Sequence, residues 1–258
     1  MDISEIFSAL RQGDDLRPLW VVTVAFLAGV SRGFTGFGAG MIFIPVVGAL
    51  YSPRLAVALL FLVDFIGTTP LLLPHFRNCN WREIAPLLVA AILAFPFGLF
   101  FLTRLDPLVV RWGLSIFICT IVAIMATGWR YHGKPTPQAA LGIGGACGFF
   151  SGAIGLGGPF IVLFWLGGQE QAARVRSNIF SFFGVFSVAS GIGYLAQGML
   201  TLDILFAALV LLPIYLVPIF IGSRIFDRSS DAVYRKASLT FCGVIAVATL
   251  PVWSRLFA

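Results

Sequence analysis

Two ionisable residues lie inside long apolar stretches of the sequence, where a charged side chain needs an explanation. Arg32 belongs to the segment RGFTGFGAGMIFIP, and Asp64 lies within the apolar run 55–73. A charge at membrane depth is costly and usually faces a cavity or a partner charge. Arg32 is therefore a candidate to attract an anion, and contact with a lipid headgroup is the alternative. Asp64 is a candidate to carry a coupling proton, and a salt bridge, for example to Arg32, is the alternative.

Glycines surround Arg32 and recur in the second half of the chain with the same spacing. The first set is Gly29, Gly33, Gly36 and Gly38, and the second set, 148 − 29 = 119 residues later, is Gly148, Gly152, Gly155 and Gly157. Clustered glycines are poor helix formers, because each costs about 1 kcal/mol relative to alanine. Each cluster therefore predicts a break in a helix. For the glycines at GxxxG spacing, close helix packing is the alternative.

A helix break has a specific use inside a membrane. Every backbone N–H and C=O group needs a partner in lipid, so a break is tolerated only where it is buried in protein or lines a wet cavity. The helix that restarts after the break points free N–H groups and a partial positive charge into the gap, which suits an anion. Two breaks at matching positions in two halves predict a transport site near the midplane of the membrane.

The composition of the chain excludes a soluble protein. The 258 residues are 59% hydrophobic and 11% charged, whereas soluble domains carry about 25% charged residues. A soluble core of this size cannot hide so much apolar surface. The basic residues behind the net charge of +6 lie mainly between apolar blocks, where they serve as topology anchors rather than as a nucleic-acid surface. We therefore expect an all-α polytopic membrane protein that contacts the lipid bilayer and no nucleic acid.

Six apolar runs have the length of an ordinary transmembrane helix, which needs about 20 residues. They cover residues 55–73, 84–103, 112–129, 177–202, 204–223 and 237–254. Two further blocks, 19–52 and 135–169, are too long for one straight span and too short for two spans with a turn. Both blocks carry their glycines in the middle.

The blocks predict a single membrane domain with an internal duplication. We expect an N-terminal segment (1–18), a first repeat (19–129) and a second repeat (135–254), each repeat a glycine-broken block followed by three helices. If each broken block is a re-entrant hairpin, the repeats are inverted; if it crosses once, they are parallel. The distribution of basic residues favours the inverted arrangement, and both arrangements place both termini on the periplasmic side.

The candidate substrate-binding residues come from the two breaks and from polar side chains close to them in the chain. Asn178 is placed to hydrogen-bond an oxyanion, and Arg176 is placed to meet an anion at the entrance, with a position at the membrane interface as the alternative. The full set is Gly36, Phe37, Gly38, Gly40, Gly155, Leu156, Gly157, Gly158, Asn178, Arg32 and Arg176, with Asp64 as the coupling or gating residue.

Patterns typical of enzymes and metal sites are missing from the sequence. The chain has no HExxH, GxSxG or Walker A motif, and its four cysteines are far apart. We therefore expect no catalytic residues, no cofactor and no metal. Three functions remain open at this point: a secondary carrier, an anion channel, and a membrane subunit of a larger transport complex.

The glycine-rich segments also carry a family resemblance. GFTGFGAGMIFIP and GFFSGAIGLGGPFIV, each near the start of one repeat, resemble segments of the TauE/SafE family of membrane permeases, and GLFFLTRLDPLVVRWGLSIFICTIVA is similar to the family's repeat ending. The resemblance leaves open the coupling ion, with a proton as one alternative, and the oligomeric state, with a homodimer as one alternative. It implies a secondary transporter that moves sulfite, a sulfonate or a similar small sulfur-containing anion across the bacterial inner membrane.

Overall fold

The computed structural model of the protein describes residues 17–126, 136–166 and 171–230, and all regular structure in those ranges is helical. The described helices are, in chain order, α1 (Arg17–Thr35), α2 (Ala39–Leu50), α3 (Pro53–Asn78), α4 (Trp81–Arg104), α5 (Pro107–Ala126), α6 (Pro137–Ile154), α7 (Gly158–Leu166), α8 (Ala172–Ala196) and α9 (Leu202–Asp227). The predicted helix at 237–254 and the segment before residue 17 lie outside the described ranges.

Five of the described helices are long and apolar enough to cross a membrane, namely α1, α3, α4, α8 and α9. Their outer faces carry large apolar side chains, among them Leu93 (67% exposed) and Ile192 (66% exposed). An apolar outer surface on helices of this length is what contact with lipid requires. The expectation of an all-α polytopic membrane protein is confirmed.

The helices extend beyond the apolar runs from which they were predicted. The run at 55–73 lies inside α3, which continues to Asn78, and the run at 177–202 lies partly in α8, which begins at Ala172. Both extensions contain arginine, which is a good helix former. Charged residues therefore mark where a helix leaves the apolar environment, and they do not mark where the helix itself ends.

Polar N-caps fix where two of the long helices begin. The Ser52 hydroxyl accepts a hydrogen bond from the Leu55 N–H (3.2 Å), and Pro53 occupies the first position of α3. The Thr201 hydroxyl accepts from the Ile204 N–H (3.4 Å) at the start of α9. Such caps satisfy one of the N–H groups that have no partner inside the helix, and proline suits the first turn for the same reason.

Each of the two long apolar blocks consists of two helices separated by a glycine cluster. In the first block α1 ends at Thr35 and α2 begins at Ala39, and in the second block α6 ends at Ile154 and α7 begins at Gly158. We call residues 36–38 the first break and residues 155–157 the second break.

The helix before each break packs closely against a helix from the other half of the chain. α1 contacts α9, and α6 contacts α4. A Cβ atom at Gly33 would overlap the backbone carbonyl of Ile219 in α9, and one at Gly148 would overlap that of Ala91 in α4. Small residues permit such close contact between membrane helices. The glycines that pack in this way include Gly29, Gly33, Gly148 and Gly152, so the packing role named as their alternative is present.

α3 and α8 lie between these two helix pairs. α3 contacts α2, α8 and α9, and α8 also contacts α4. The inner side of α8 is buried, with Ile179 and Phe182 fully enclosed. The two breaks therefore face an interior whose other walls are α3 and α8.

Candidate transport site

The first break is held by hydroxyl groups at the end of α1. The Thr35 hydroxyl lies 2.6 Å from the Phe37 carbonyl oxygen and accepts a hydrogen bond from the Phe37 N–H (3.2 Å). The Ser31 hydroxyl donates to the same carbonyl (3.3 Å). Gly38, the last residue of the break, has a φ angle of 91°, which side-chain-bearing residues rarely adopt. Backbone groups released by the break therefore find partners, as a break at membrane depth requires.

The second break is closed by backbone hydrogen bonds. The Gly155 N–H donates to the Ser151 carbonyl (3.1 Å) at the end of α6. Gly155 has a φ angle of 74°, the left-handed conformation common just after a helix end. α7 then begins at Gly158, and Pro159 lies in its first turn, where a missing N–H has no cost. Each break is thus followed by the N-terminus of a new helix.

A cavity of about 140 Å³ lies between the two breaks. The breaks and the first turns of α2 and α7 form one side, and α3 and α8 form the other. The first N–H groups of α2 and α7 have no partner within their own helices, and these helices begin at the cavity wall. The predicted residues that line the cavity are Arg32, Phe37, Gly38, Gly40, Asp64, Gly155, Leu156, Gly157 and Gly158.

Hydroxyl groups of α8 add polar lining that the sequence analysis missed. Ser187, Ser190 and Tyr194 all line the cavity. Their spacing of three and four residues places them on one face of the helix. This polar stripe was readable in the segment FSVASGIGY, and it is the signal that would have identified them. Most of the remaining wall is apolar and includes Ile44, Val57, Leu60, Phe61 and Phe65.

Arg32 and Asp64 form an ion pair at the cavity wall. The Arg32 Nε lies 2.8 Å from the Asp64 Oδ1, and a second guanidinium N–H donates to the Gly36 carbonyl. The Arg32 side chain is 6% exposed and the Asp64 side chain is 27% exposed. A buried cation such as Arg32 persists when it is paired and hydrogen-bonded. The salt bridge that was the alternative interpretation of Asp64 is therefore present in the structure.

Tyr215 of α9 is the third member of this cluster. Its hydroxyl donates to the Asp64 Oδ1 (2.6 Å), and the residue is completely buried. The close packing of α1 on α9 sets its position, because the Tyr215 carbonyl lies directly against Gly29. This tyrosine was not predicted from the sequence, since a single hydroxyl in an apolar helix 151 residues from its partner gives no local signal.

Aromatic rings cover the Arg32 guanidinium. Its central carbon lies 5.2 Å from the Phe180 ring centroid and 5.5 Å from the Phe183 ring centroid. Both distances are within the range of a cation–π interaction. Phe183 also lines the cavity. The guanidinium is thus held by a carboxylate, a backbone carbonyl and two rings.

Arg176 lies outside the cavity lining and holds the end of α1. One guanidinium nitrogen donates to the Gly33 carbonyl (2.7 Å) and to the Ser223 hydroxyl of α9 (2.8 Å). The guanidinium carbon lies 4.3 Å from the Phe226 ring centroid. These contacts join α8 to the α1–α9 pair. Arg176 thus has a structural role at this position, and its predicted contact with a substrate stays a prediction.

Asn178 and Gly36 also lie away from the cavity lining. The Asn178 side-chain oxygen accepts a hydrogen bond from the Asn80 N–H (2.8 Å), just before α4, and Asn178 is completely buried. A Cβ atom at Gly36 would meet the Phe180 ring at 3.1 Å. Asn178 therefore holds the turn between α3 and α4, and the Gly36 carbonyl holds Arg32. Their predicted contacts with a substrate stay predictions.

Two kinds of group at the cavity can attract an anion, the guanidinium of Arg32 and the backbone N–H groups at two helix starts. The Asp64 carboxylate accepts hydrogen bonds, and the Ser187 and Ser190 hydroxyls donate to carbonyls of their own helix. Among the described residues, no three His, Cys, Asp or Glu side chains are grouped in a way that could hold a metal ion. The chemistry of the cavity therefore suits an oxyanion, which accepts hydrogen bonds, rather than a metal cation.

Comparison with known proteins agrees with this chemistry. The family described as sulfite exporter TauE/SafE matches residues 21–249 of the chain. No curated protein and no solved structure matches it. The family match confirms the resemblance of the glycine-rich segments, and its range contains both breaks and every described residue that lines the cavity. Because the match covers most of its length, the chain belongs to the TauE/SafE sulfite exporter family.

Proposed function

We propose that the protein is a secondary carrier that binds a small sulfur oxyanion, such as sulfite or a sulfonate, in the cavity between the two breaks. Its family is one of sulfite exporters, and five of its described helices can cross a membrane. The bacterial inner membrane is the proposed location, with both termini on the periplasmic side. The observation that carries the proposal is that one cavity is lined by both glycine breaks.

Two helix N-termini provide the first part of the anion site. α2 has 12 residues and α7 has 9, and both begin at the cavity. The N-cap of α2 is Gly38, whose lack of a side chain leaves the first N–H groups of the helix without a side-chain cap. A helix N-terminus carries about half a positive charge and presents N–H groups that bind anions. Two such ends at one cavity favour a negatively charged substrate.

The lining of the cavity also bears on the kind of anion. Arg32 supplies a positive charge that Asp64 balances in the empty cavity, and Ser187 and Ser190 supply hydroxyl groups. Phe61 and Phe65 supply apolar surface on the α3 side. A strongly hydrated anion loses more on entering such a site than an anion with an apolar substituent. We therefore favour a small alkyl sulfonate over sulfate.

The helix contacts suggest how the cavity opens to each side in turn. Each break follows a helix that packs on a partner from the other half of the chain, α1 on α9 and α6 on α4. We propose that the repeats are inverted and that these pairs rock around α3 and α8. Inverted repeats with broken helices commonly support alternating access of this kind.

Counterflow in proteoliposomes tests the proposed function. The purified protein is reconstituted into vesicles loaded with unlabelled sulfite or methanesulfonate, and a trace of the same labelled anion is added outside. A carrier gives transient, saturable accumulation of the label. Uptake that rises linearly with concentration would indicate a channel instead, and an absence of flux with both anions would contradict the proposed substrate class.

A pair of glycine variants tests the position of the site. Gly158 lines the cavity, and a Cβ atom there meets nothing closer than Phe37 at 3.7 Å. Gly158→Val therefore fills the cavity without disturbing helix packing, and we expect exchange to fall by about ten-fold or more. Gly142→Val is the control, since Gly142 is on the outside of α6 with nothing within 4 Å. Equal exchange by the two variants would place the site elsewhere.

A further inference from the structure

We propose that Asp64 is an internal counter-anion of Arg32 that the transported anion replaces in each cycle, and that Tyr215 holds Asp64 during the replacement. This inference rests on the proposed function, because it concerns the same cavity. It makes Asp64 a competitor of the substrate rather than a carrier of protons. A monovalent anion then crosses alone and moves one negative charge per cycle.

Asp64 accepts a hydrogen bond from an Arg32 N–H group that an incoming anion would also use. The Arg32 Nε–H points to the Asp64 Oδ1 at 2.8 Å, and both residues line the cavity. Guanidinium groups bind oxyanions through the same N–H groups that bind carboxylates. The internal ion pair and the substrate therefore exclude each other at this nitrogen. The apparent affinity of the carrier for its substrate is reduced by the fraction of molecules in which the internal pair is intact.

Asp64 has a use as a competitor of the substrate, because it makes the empty cavity neutral. Among the described residues, Arg32 and Asp64 are the only Lys, Arg, Asp or Glu side chains that line the cavity. An unpaired arginine at this depth is costly, whereas the intact pair is neutral. The empty cavity can therefore change its orientation without carrying a net charge across the membrane.

Binding of an anion changes the net charge of the cavity in a way that favours export. With one guanidinium, one carboxylate and one bound monoanion, the loaded cavity has one net negative charge. An inside-negative potential drives a negative charge out of the cell. The family is one of exporters, so the potential alone favours the expected direction of transport.

Tyr215 provides a second partner for Asp64 when Arg32 turns to the substrate. Its hydroxyl and the Arg32 Nε both donate to the same carboxylate oxygen, Oδ1, at 2.6 and 2.8 Å. A partly buried carboxylate that loses every donor is destabilised. The Tyr215 hydroxyl remains in place, since this residue is completely buried in α9 and fixed by the packing of α1. Tyr215 is therefore a positioning residue for Asp64.

The other ionisable groups around the pair do not replace Asp64. From α8, Tyr194 lines the cavity, and Arg176 lies 5.1 Å from the centroid of the Phe180 ring, which Arg32 also contacts. From α3, His75 stacks on the same ring at 4.4 Å. The residues of α2 at the cavity are not ionisable. Asp64 is thus the only carboxylate among the described residues at the cavity.

Net efflux under a controlled potential tests the charge movement directly. Proteoliposomes are loaded with methanesulfonate and a pH-sensitive dye, and valinomycin with potassium gradients sets the potential. Methanesulfonate stays ionised and cannot itself carry a proton. We expect an inside-negative potential to accelerate efflux and the dye to record no linked proton movement. Efflux that carries one proton per anion and ignores the potential would overturn the inference in favour of Asp64 as a proton carrier.

Two isosteric variants test the roles of the carboxylate and the hydroxyl. Asp64→Asn keeps the shape but removes the competing charge, so we expect the KM of exchange to fall roughly ten-fold. Net efflux should slow relative to exchange, because the empty cavity now carries the charge of Arg32. Tyr215→Phe should raise the KM several-fold, because the displaced carboxylate loses its remaining donor.

Opposite shifts of KM distinguish this role from a structural one. If Asp64 only stabilised the fold, both variants would raise the KM or abolish exchange, and that outcome would overturn the inference. Asp203→Asn, which changes an exposed carboxylate at the start of α9, is the control and should leave the KM unchanged. A wild-type protein that exchanges no anion would overturn the proposed function as well. If a variant fails to fold, the efflux measurement on the wild-type protein still shows whether the anion crosses with or without a proton.

Discussion

Arg32 and Arg176 are both buried, yet their surroundings give them different roles. Arg32 lines the cavity and pairs with Asp64, whereas Arg176 donates to the Gly33 carbonyl and the Ser223 hydroxyl. We therefore propose that Arg32 meets an anion in the cavity when it parts from Asp64, whereas the contacts of Arg176 join helices. Variants of Arg176 should accordingly affect stability and leave the affinity for the anion unchanged.

Replacement of Arg176 by glutamine tests this distinction. The variant loses charge-assisted hydrogen bonds to two partners and the contact with Phe226, so we expect a loss of about 2 kcal/mol. The melting temperature in detergent should fall by about 4–8 °C, while the KM of exchange stays within roughly two-fold of the wild type. Arg228→Gln, at an exposed position after α9, is the control. A higher KM at an unchanged melting temperature would return Arg176 to the binding site.

A second prediction at the residue scale concerns Gly155, whose backbone is left-handed. Gly155→Ala forces a side chain into a φ angle of 74° and places a Cβ atom 2.9 Å from the Val57 side chain. We expect a loss of at least about 1–2 kcal/mol, seen as a lower melting temperature. Gly158→Ala, three residues later, has an ordinary φ angle and free space. If the two alanine variants are equally stable, the described geometry of the second break is wrong.

Some residues of the site could be predicted from the sequence and others could not. The difference lies in how far apart in the chain the interacting residues are. The charge of Arg32 and the spacing of the glycines were visible locally, and the ion pair with Asp64 was one of the two alternatives. Tyr215 was missed, because its role depends on helix packing across the chain. The predicted roles of Arg176 and Asn178 rest on their position after the second break, but the sequence does not reveal which side of α8 faces the cavity, and neither residue lines it.

At the scale of elements, α1 packs on α9 and α4 packs on α6 through glycines, and these contacts hold the bundle together. We call each of these two contacts a glycine seam. Each seam joins a helix that precedes a break to a helix from the other half of the chain. The backbones are so close that a Cβ atom has no room at several positions. Membrane helices associate largely through such packing, because lipid offers no hydrophobic driving force between them.

A valine in the α4–α6 seam should separate the two helices. Gly148→Val would overlap the Ala91 backbone, so we expect a loss of about 3 kcal/mol or more and little folded protein. Gly142→Val, on the same helix with nothing within 4 Å, should change stability by less than about 0.5 kcal/mol. Thermostability by size-exclusion chromatography in detergent measures both. Similar melting temperatures for the two variants would contradict the close approach of α4 and α6.

The sequence predicted that most of the described helices exist and where two of them break, but it did not predict where the helices end. Four of the six apolar runs coincide with helices that can cross a membrane, α3, α4, α8 and α9, whereas α1 was predicted only as part of a glycine-broken block. The glycine clusters coincide with the separations between α1 and α2 and between α6 and α7. The ends moved because arginine-containing turns remain helical, as at the start of α8. The pairing of α1 with α9 could not be predicted, since glycine spacing indicates a close contact without naming the partner.

At the scale of the whole molecule, composition alone excluded a soluble fold, and the family match covers most of the chain. The corresponding seams and breaks in the two halves support our proposal of inverted repeats around a shared cavity. Such a molecule exposes its site to one side at a time, which is the property that distinguishes a carrier from a channel. The central claim is therefore that the anion binds in this cavity.

Protection of a cysteine in the cavity measures that claim most directly. Ser187→Cys, at the cavity wall, and Gln197→Cys, at the exposed end of the same helix, are introduced into a protein whose native cysteines are replaced. Methanesulfonate, which does not react with thiol reagents, is added before labelling. We predict that it slows labelling at position 187, half-maximally near the KM of exchange, and not at position 197. Equal labelling of position 187 with and without the anion, in protein that still exchanges it, would contradict the account.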